Sequence, residues 1–217
     1  YYRAPHLYLS FAMRLVPDRQ LLSSEEARTL GVFTDREKRI SDGVFMTSRG
    51  GNRYDRTFME AYFRPGPDRR MWVARNSMVA VGGVPLGDGR MGIYRHHHYA
   101  SPTNHLVLYT EREDGLASLQ AGAQEGQVVT KEVIVSGQQL WLNYSTSAVG
   151  YLRLEVLDQD QKPIPGYSLA ESPSLFGDSL SRAVAWTGGS TWADLVGRAV
   201  RLRFVMSDAN LYSLQQR

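Results

Sequence analysis

Short runs of β-forming residues, separated by turn-forming residues about every ten positions, dominate the sequence. In the first half they cover residues 6–15, 43–48, 57–63 and 71–74, and residues 91–99 and 105–110 fit a hairpin. One helical segment interrupts them, because Ser23 followed by Glu26 matches a capping box and Gly31 can end a helix. We therefore expect an all-β fold with one short helix.

The second half has a cleaner alternation of apolar and polar residues. Its runs cover residues 128–135, 139–144, 151–157 and 200–206, and Leu152, Leu154 and Val156 share one face. We place a domain boundary between residues 115 and 126, which gives a first domain of residues 1–120 and a second of 121–217. The second has the size and pattern of a β-sandwich. The strands of the first carry many charged residues, as in blades of a β-propeller that line a channel.

Composition excludes several classes of function. The chain contains no cysteine, so disulfides, thiol nucleophiles and thiolate metal sites are excluded. Its net charge is only +3 and its basic residues alternate with acidic ones, which argues against nucleic-acid binding. No apolar run approaches the roughly 20 residues of a membrane span. We expect an exported bacterial protein, periplasmic or extracellular. Because the sequence begins without Met and without a signal-peptide pattern, we expect it to be a mature or truncated form of the protein.

Several stretches of the sequence resemble one group of bacterial glycosyl hydrolases. The stretches are Arg-Ala-Pro-His-Leu-Tyr-Leu at residues 3–9 and residues 41–51, 54–61, 140–147, 164–167 and 177–179. The group carries a five-bladed propeller of the family 43/32-like kind, followed by a C-terminal sandwich. The resemblance implies hydrolysis of a poly- or oligosaccharide without a cofactor. It also implies that the chain is the C-terminal part of such an enzyme, with the remaining blades supplied by the same or another chain.

Arg3 departs from the pattern of that group. Propeller glycosidases often place their general acid just before Gly-Pro, where this chain has Arg3-Ala4-Pro5. Arginine cannot donate a proton near neutral pH. The proton donor must then lie elsewhere, with Glu60 as the first candidate, or the site has another role. Because the first blades usually carry the catalytic Asp, the chain alone can also be inactive.

Three carboxylates are candidates for acid and base or nucleophile: Asp42, Asp55 and Glu60. Glycoside hydrolysis needs two carboxyl groups about 5 to 9.5 Å apart. Asp55 and Glu60 are five residues apart and face opposite sides of a regular strand, so only a bulge or turn can bring them together. Glu60 has the apolar neighbours Met59 and Ala61, which suit a general acid. The alternative for Glu60 is an ion pair with a nearby arginine.

Candidate substrate-binding residues come from four groups. Arg3 and His6 lie in the resembling stretch, and Arg49, Arg53 and Arg56 surround Tyr54, where guanidinium groups can bind an acidic or sulfated sugar or form ion pairs. His96 and His98 are predicted to share a strand face. A metal would need a third ligand that the sequence does not supply, so we assign no metal and expect hydroxyl binding or a polar lining. Among the tryptophans, Trp192 follows a glycine turn and is the candidate for exposed stacking on a sugar.

Three hypotheses remain open at this stage. The leading one is a glycoside hydrolase, or its C-terminal portion, acting on carbohydrate. The second is a non-catalytic carbohydrate-binding module, and the third is a structural β module that completes a propeller with another chain. The hydrolase hypothesis depends on whether the charged side chains of the first half converge on one cleft, and if they do not, only a two-part β scaffold remains.

Overall fold

The computed structural model describes all 217 residues and shows an all-β protein, with 42% of residues in strands and 6% in helix. The predicted fold class is therefore confirmed. The chain divides into two compact units, Tyr1–Glu111 and Arg112–Arg217. The boundary expected at residue 120 falls inside a strand of the second unit, Leu119–Ala121. The propeller and sandwich assignments stay predictions.

The first unit begins with an antiparallel pair of strands, β1 (Tyr8–Val16) and β2 (Ile40–Ser48). The connection between them contains the predicted helix, α1 (Ser24–Thr29). Ser23 Oγ accepts a hydrogen bond from the Glu26 backbone N at 3.1 Å, and Glu26 Oε2 accepts one from the Ser23 backbone N at 2.9 Å. This reciprocal capping satisfies two amide groups that a helix start leaves unpaired, and it confirms the prediction from sequence.

A three-stranded sheet completes the strands of the first unit. It contains β3 (Val84–Pro85), β4 (Arg90–His97) and β5 (His105–Arg112), with β4 in the middle. The last residue of β5 is also the first residue of the second unit. The hairpin predicted from residues 91–99 and 105–110 is confirmed.

Two predicted strands of the first unit are wrong. Residues 57–63 alternate in sequence, but they form no regular strand, and a single isolated bridge between Gly43 and Phe63 is their ladder pairing with β2. Residues 71–74 do not extend as a strand, because Met71 ends a 3-10 turn, Arg69–Met71, and residues 72–74 follow it without regular structure. Asp68 starts this turn, because its Oδ1 accepts a hydrogen bond from the Arg70 backbone N at 3.0 Å. A local carboxylate cap therefore overrides the strand preference of the residues that follow.

Aromatic rings and one buried cation pack together inside the first unit. Phe11, Phe45, Tyr62 and Phe63 lie with ring centroids 5.0 to 5.6 Å apart. The guanidinium of Arg95 stacks on Phe63 at 5.3 Å and on Tyr109 at 5.5 Å. Arg95 is 3% exposed, and burial lowers its pKa. It donates to the Arg64 carbonyl at 2.9 Å and to Ser77 Oγ at 2.7 Å, so these bonds and the ring faces replace a counterion.

The second unit is one hydrogen-bonded sheet of six strands. Two 18-residue strands, β9 (Leu140–Leu157) and β11 (Ala199–Gln216), pair antiparallel over most of their length, with an interruption where residues 147–150 of β9 have no partner in β11. β10 (Asp178–Ala183) pairs with the free edge of β9. The opposite edge of β11 pairs with three short strands, β6 (Leu119–Ala121), β7 (Gly126–Val129) and β8 (Val133–Ile134). A 3-10 turn covers Trp192–Leu195.

A bend in the two long strands joins segments that the sequence pattern separates. Residues 139–144 and 151–157 are predicted as two strands, but both lie in the continuous β9. Opposite the junction, the register of β11 shifts between Ser207 and Ala209, and Asp208 has φ of +46°. Gly150 is required here, because a Cβ would lie 2.2 Å from the Asp208 carbonyl oxygen. The bulge shifts the inward–outward alternation of side chains along β11 by one residue. Both halves of this strand therefore bury apolar side chains in the same core.

That core contains the predicted apolar face of β9. Leu152, Leu154 and Val156 are buried, which confirms their predicted arrangement. They share one cluster with side chains from β11, from the first half of β9 and from the segments around β10: Leu140, Leu142, Tyr144, Leu175, Trp186, Trp192, Val200, Leu202, Phe204, Met206 and Leu211. None of the helices has the length and apolar character of a bilayer-spanning segment.

Candidate functional site

A cleft of about 640 Å³ lies in the first unit, where β1 ends and β2 begins. Its walls come from both strands, from residues 60–66 and from the segment after the 3-10 turn. The lining residues are Val16, Arg19, Ile40, Ser41, Asp42, Glu60, Ala61, Arg64, Pro65, Gly66 and Trp72. Two of the three predicted catalytic carboxylates, Asp42 and Glu60, therefore share one opening.

Backbone pairing at Gly43 brings these two carboxylates together. The Gly43 N donates to the Phe63 carbonyl at 2.9 Å, and the Gly43 carbonyl accepts from the Tyr62 N at 2.8 Å. A Cβ at Gly43 would lie 3.1 Å from the Phe63 Cβ, so the close approach favours glycine. Asp42 precedes Gly43 and Glu60 lies two residues before Tyr62. The bridge thus brings the two acids into the lining of one cleft although 18 positions separate them.

Arg14 connects the two sides of the cleft behind Asp42. Its Nε donates to Asp42 Oδ1 at 2.9 Å and its Nη2 donates to Asp42 Oδ2 at 2.6 Å. Its Nη1 donates to the carbonyl of Met59 at 2.8 Å, just before Glu60. The hydrogen bond with Asp42 raises the pKa of Arg14. Both oxygens of Asp42 are engaged by a bidentate guanidinium, so its negative charge is matched inside the protein.

The remaining charged groups of the cleft have no such partner. Glu60 is exposed and forms no ion pair. Arg19 and Arg64 are exposed, and neither guanidinium forms an ion pair. The cleft thus presents two unpaired cations and one unpaired anion to solvent. This arrangement can hydrogen-bond polyhydroxylated ligands and favours those that carry a negative charge.

Trp72 supplies the aromatic surface of the cleft. The indole is half-buried and its Nε1 donates to the Gly66 carbonyl at 2.7 Å, which fixes the orientation of the ring. Ile40, Val16 and Pro65 add further apolar surface to the lining. The sequence pattern predicts a strand at Trp72 and favours Trp192 as the tryptophan that stacks on a sugar. The signal that was missed is Asp68, four residues earlier, because an aspartate after Gly-Pro commonly begins a turn.

Asp55, the third candidate for the carboxylate pair, does not line the cleft that contains Asp42 and Glu60. The side chain of Asp55 is exposed, and its Oδ1 accepts from Thr57 Oγ1 at 2.5 Å and from the Thr57 N at 2.8 Å. These hydrogen bonds lower the pKa of Asp55. They make it the start of a local turn rather than a partner in the cleft.

The arginine group expected at the site also lies elsewhere. Arg49, Arg53, Tyr54 and Arg56 are exposed in the segment that follows β2, and none of them lines the cleft. After the turn at Gly50 and Gly51, both with positive φ, this segment returns to β2, where Asp55 and Thr47 exchange two backbone hydrogen bonds. Arg19 and Arg64 occupy the cleft instead. Arg3 is half-buried and His6 is exposed near the N-terminus, and neither is part of the cleft lining.

His96 and His98 do not share a strand face, because β4 ends at His97 and His98 has φ of +54°. The His98 ring is buried, with Nε2 2.7 Å from Asp68 Oδ2 and Nδ1 2.9 Å from Thr103 Oγ1. Burial alone would raise the pKa of Asp68, but hydrogen bonds from Arg70 and His98 lower it. His96 is half-buried, and its ring centroid lies 5.7 Å from that of Tyr99. Neither histidine lines the cleft, and no group of three metal-ligating side chains occurs in the chain.

Trp192 is 1% exposed, so the prediction that it stacks on a sugar is wrong. It opens the 3-10 turn of the second unit, where Asp194 Oδ2 accepts from both the N and the Oγ1 of Thr191 at 2.8 Å. This cap turns the indole into the core, and its Nε1 donates to the Ser136 carbonyl at 3.2 Å. The spacing of Thr191 and Asp194 is the sequence signal that indicates this turn.

No family model, no curated protein and no solved structure matches the chain. What the chain can bind is therefore inferred from the geometry of the cleft and the chemistry of its side chains.

Proposed function

We propose that the first unit binds a carbohydrate in the cleft between Asp42, Glu60 and Trp72. The observation that carries this proposal is that carboxylates, unpaired guanidinium groups and an oriented indole line one opening of about 640 Å³. This volume lies within the range of about 300 to 1,000 Å³ that is usual for small-ligand sites. Carboxylates and guanidinium groups bind sugar hydroxyls, and an indole face packs against the apolar C–H face of a pyranose ring.

The charges of the cleft favour an acidic sugar. Because Arg14 matches the charge of Asp42, the groups that remain for a ligand are Arg19, Arg64 and Glu60. Two cations and one anion leave a positive balance. A uronic acid residue complements it, since a guanidinium group binds a carboxylate through two parallel hydrogen bonds.

Glycoside hydrolysis is the second candidate function. The presence of Asp42 and Glu60 in one cleft favours it, because retaining and inverting hydrolases both use two carboxyl groups around the scissile bond. Glu60 would act as the proton donor and Asp42 as the base or nucleophile. The resemblance to family 43/32-like propeller enzymes supports this reading. The bidentate bond from Arg14 counts against Asp42 as a nucleophile, because it occupies both carboxylate oxygens.

Isothermal titration of the full chain with uronic-acid oligosaccharides and with their neutral counterparts tests carbohydrate binding. We expect the acidic oligosaccharides to bind more tightly, and Trp72→Ala to weaken binding about tenfold or more, equivalent to about 1.4 kcal/mol. Trp141→Ala is the matched control, because Trp141 is also half-buried but lies in the second unit under the guanidinium of Arg217. Unchanged affinity in Trp72→Ala would contradict the proposal.

A further inference from the structure

The outer edge of β1 has no hydrogen-bond partner in the protein. β1 and β2 form a two-stranded sheet, and no backbone group outside β2 bonds to β1. No residue of β1 is buried, whereas most of β2 is. Tyr8 and Leu15, near the two ends of β1, are 55% and 41% exposed. Because unpaired backbone groups are rarely buried, those on the outer edge of β1 face solvent.

The backbone contacts on the far side of β2 show which groups of β1 point outward. Gly43 bonds through its N and carbonyl to residues 62 and 63, and Thr47 bonds in the same way to Asp55. Both residues are therefore turned away from β1, so the residues that alternate with them bond to β1. The register partners of those alternate residues are Tyr8, Ser10, Ala12, Arg14 and Val16. The N–H and carbonyl groups that point outward belong to Leu9, Phe11, Met13 and Leu15.

β1 lacks the features that protect natural sheet edges, which are prolines, bulges and unpaired charges. It contains neither proline nor glycine. Its register with β2 continues without a bulge from the first residue to the last. Its one charged side chain, Arg14, is matched by Asp42. The edge is therefore open to another strand and repels none by charge.

We propose that β1 pairs antiparallel with β1 of a second copy of this chain, around a twofold axis at Ala12. Leu9 then lies opposite the partner's Leu15, and Phe11 lies opposite the partner's Met13. All of these residues have outward backbone groups, so each pair exchanges two hydrogen bonds and every outward group gains a partner. Any other twofold register leaves at least one of them without an opposite residue in β1. The backbone of the strand is thus its own complement.

The same register covers the exposed side chains of β1. Residues directly opposite in an antiparallel pair contact each other, so Leu15 packs against the partner's Leu9 and Tyr8 packs against the partner's Val16. Arg14 faces the partner's Ser10, so no like charges meet. The pairing occupies the open edge of both copies, and the far edge of β2 is already bridged at Gly43 and Thr47. Assembly therefore closes at two copies.

Analytical ultracentrifugation of the full chain over a concentration series tests the proposal. One pair of strands is a small interface beside the about 1,200 to 2,000 Å² of stable complexes, so we expect a dimer with Kd of about 1 to 100 μM. Leu15→Pro should raise this Kd at least tenfold, because it removes an outward N–H and leaves the hydrogen bonds to β2 intact. Leu15→Ala is the matched control, since it keeps the N–H and should weaken the dimer less. Circular dichroism checks that both variants stay folded.

A charge pair tests the register. Leu15→Lys should weaken the dimer, because it places an ammonium group against the partner's Leu9. Adding Leu9→Glu to this variant should restore part of the lost affinity, because each new carboxylate then lies opposite a lysine of the other copy. Within one copy the two positions are six residues apart along an extended strand, too far for the new charges to pair. Restoration therefore reports pairing between copies.

Four outcomes would overturn the proposal. The first is a wild type that stays monomeric throughout the series, and the second is assembly beyond two copies. The third is equal affinity of the Leu15→Pro and Leu15→Ala dimers. The fourth is a loss in Leu108→Lys as large as in Leu15→Lys, because Leu108 is also 41% exposed but lies in β5. Leu9 and Leu15 do not line the cleft, so carbohydrate binding can succeed or fail independently.

Discussion

Arg14 and Asp42 form a two-point ion pair across β1 and β2, with donor–acceptor distances of 2.9 and 2.6 Å. The third donor of the same guanidinium bonds the carbonyl before Glu60 at 2.8 Å. One side chain thus connects both strands to the segment that carries the second carboxylate. The relative position of the two acids depends on Arg14, although Arg14 itself does not line the cleft.

Replacing Arg14 should therefore weaken both stability and binding. Arg14→Gln is expected to lower the free energy of unfolding by about 1 kcal/mol, a modest value because the side chain is about one-third exposed and solvent screens the pair. It should also lower carbohydrate affinity, since the backbone just before Glu60 loses its hydrogen bond from Arg14. Urea denaturation and calorimetric titration measure the two effects. Arg90→Gln is the control, because the Arg90–Asp88 pair is exposed and should contribute nothing measurable.

Glu60→Gln separates binding from hydrolysis. If the cleft is catalytic, this variant should release reducing ends from an acidic polysaccharide about 10² to 10⁴ times more slowly than the wild type, because it lacks a proton donor. Its affinity should change far less. Asp55→Asn is the control and should keep full activity, since Asp55 lies outside the cleft. A wild type that releases no reducing ends leaves binding as the function, whereas loss of activity in Asp55→Asn would contradict the catalytic assignment.

His97 should make the first unit less stable in mild acid. Burial, assisted by the nearby Arg95, lowers the pKa of His97, and its Nε2 lies 2.8 Å from the Tyr109 hydroxyl. The folded chain then binds the proton less readily than the unfolded chain, whose histidine titrates near about pH 6.5. Stability is retained above that pH and falls as the pH drops below it. We expect His97→Gln to reduce this dependence between pH 7.5 and about pH 5, measured by urea denaturation.

The matched variant for this experiment is His6→Gln. His6 is exposed at the start of the chain, so its replacement should leave the pH dependence unchanged. If the free energy of unfolding changes equally with pH in the wild type and in His97→Gln, another group causes the pH dependence.

Gly150→Ala should strongly destabilise the second unit. A Cβ at this position would lie 2.2 Å from the Asp208 carbonyl oxygen and 2.8 Å from that of Ser207, and neither backbone atom can move without disturbing the bulge. Overpacking of this kind costs about 1 to 3 kcal/mol or more. Gly122→Ala is the control, since a Cβ there meets no atom within 4 Å. Thermal unfolding that is equal for the two variants would show that the bend tolerates a side chain.

The parts of the fold that could be predicted are those set by local sequence. The capping box at Ser23 and Glu26, the hairpin of β4 and β5 and the buried face of β9 all follow from residues close together in the chain. The errors arise where a side chain bonds the backbone nearby. Asp68 and Thr191 each start a 3-10 turn, and these turns change a predicted strand into a turn and bury Trp192.

The cleft could be predicted only in part, because distant backbone pairing forms it. Asp42 and Glu60 are recognisable as polar residues in β-type segments, yet only the bridge between Gly43 and Phe63 places them together. Nothing in the local sequence pattern distinguishes them from Asp55, whose carboxylate instead accepts hydrogen bonds from Thr57 in a local turn. Arg19 and Arg64 were missed for the same reason, since neither belongs to a motif and both reach the cleft through the fold.

The position of β11 within the sheet also affects how the second unit can assemble. The three short strands β6, β7 and β8 pair with β11 alone, and the residues that meet, such as Ala121 and Ala209, are far apart in sequence. A sheet built on such distant pairings forms slowly, because large loops must close before any strand gains a neighbour. Until β11 docks, the edge of β9 stays bare and open to strands of other molecules. Refolding yield should consequently fall as protein concentration rises.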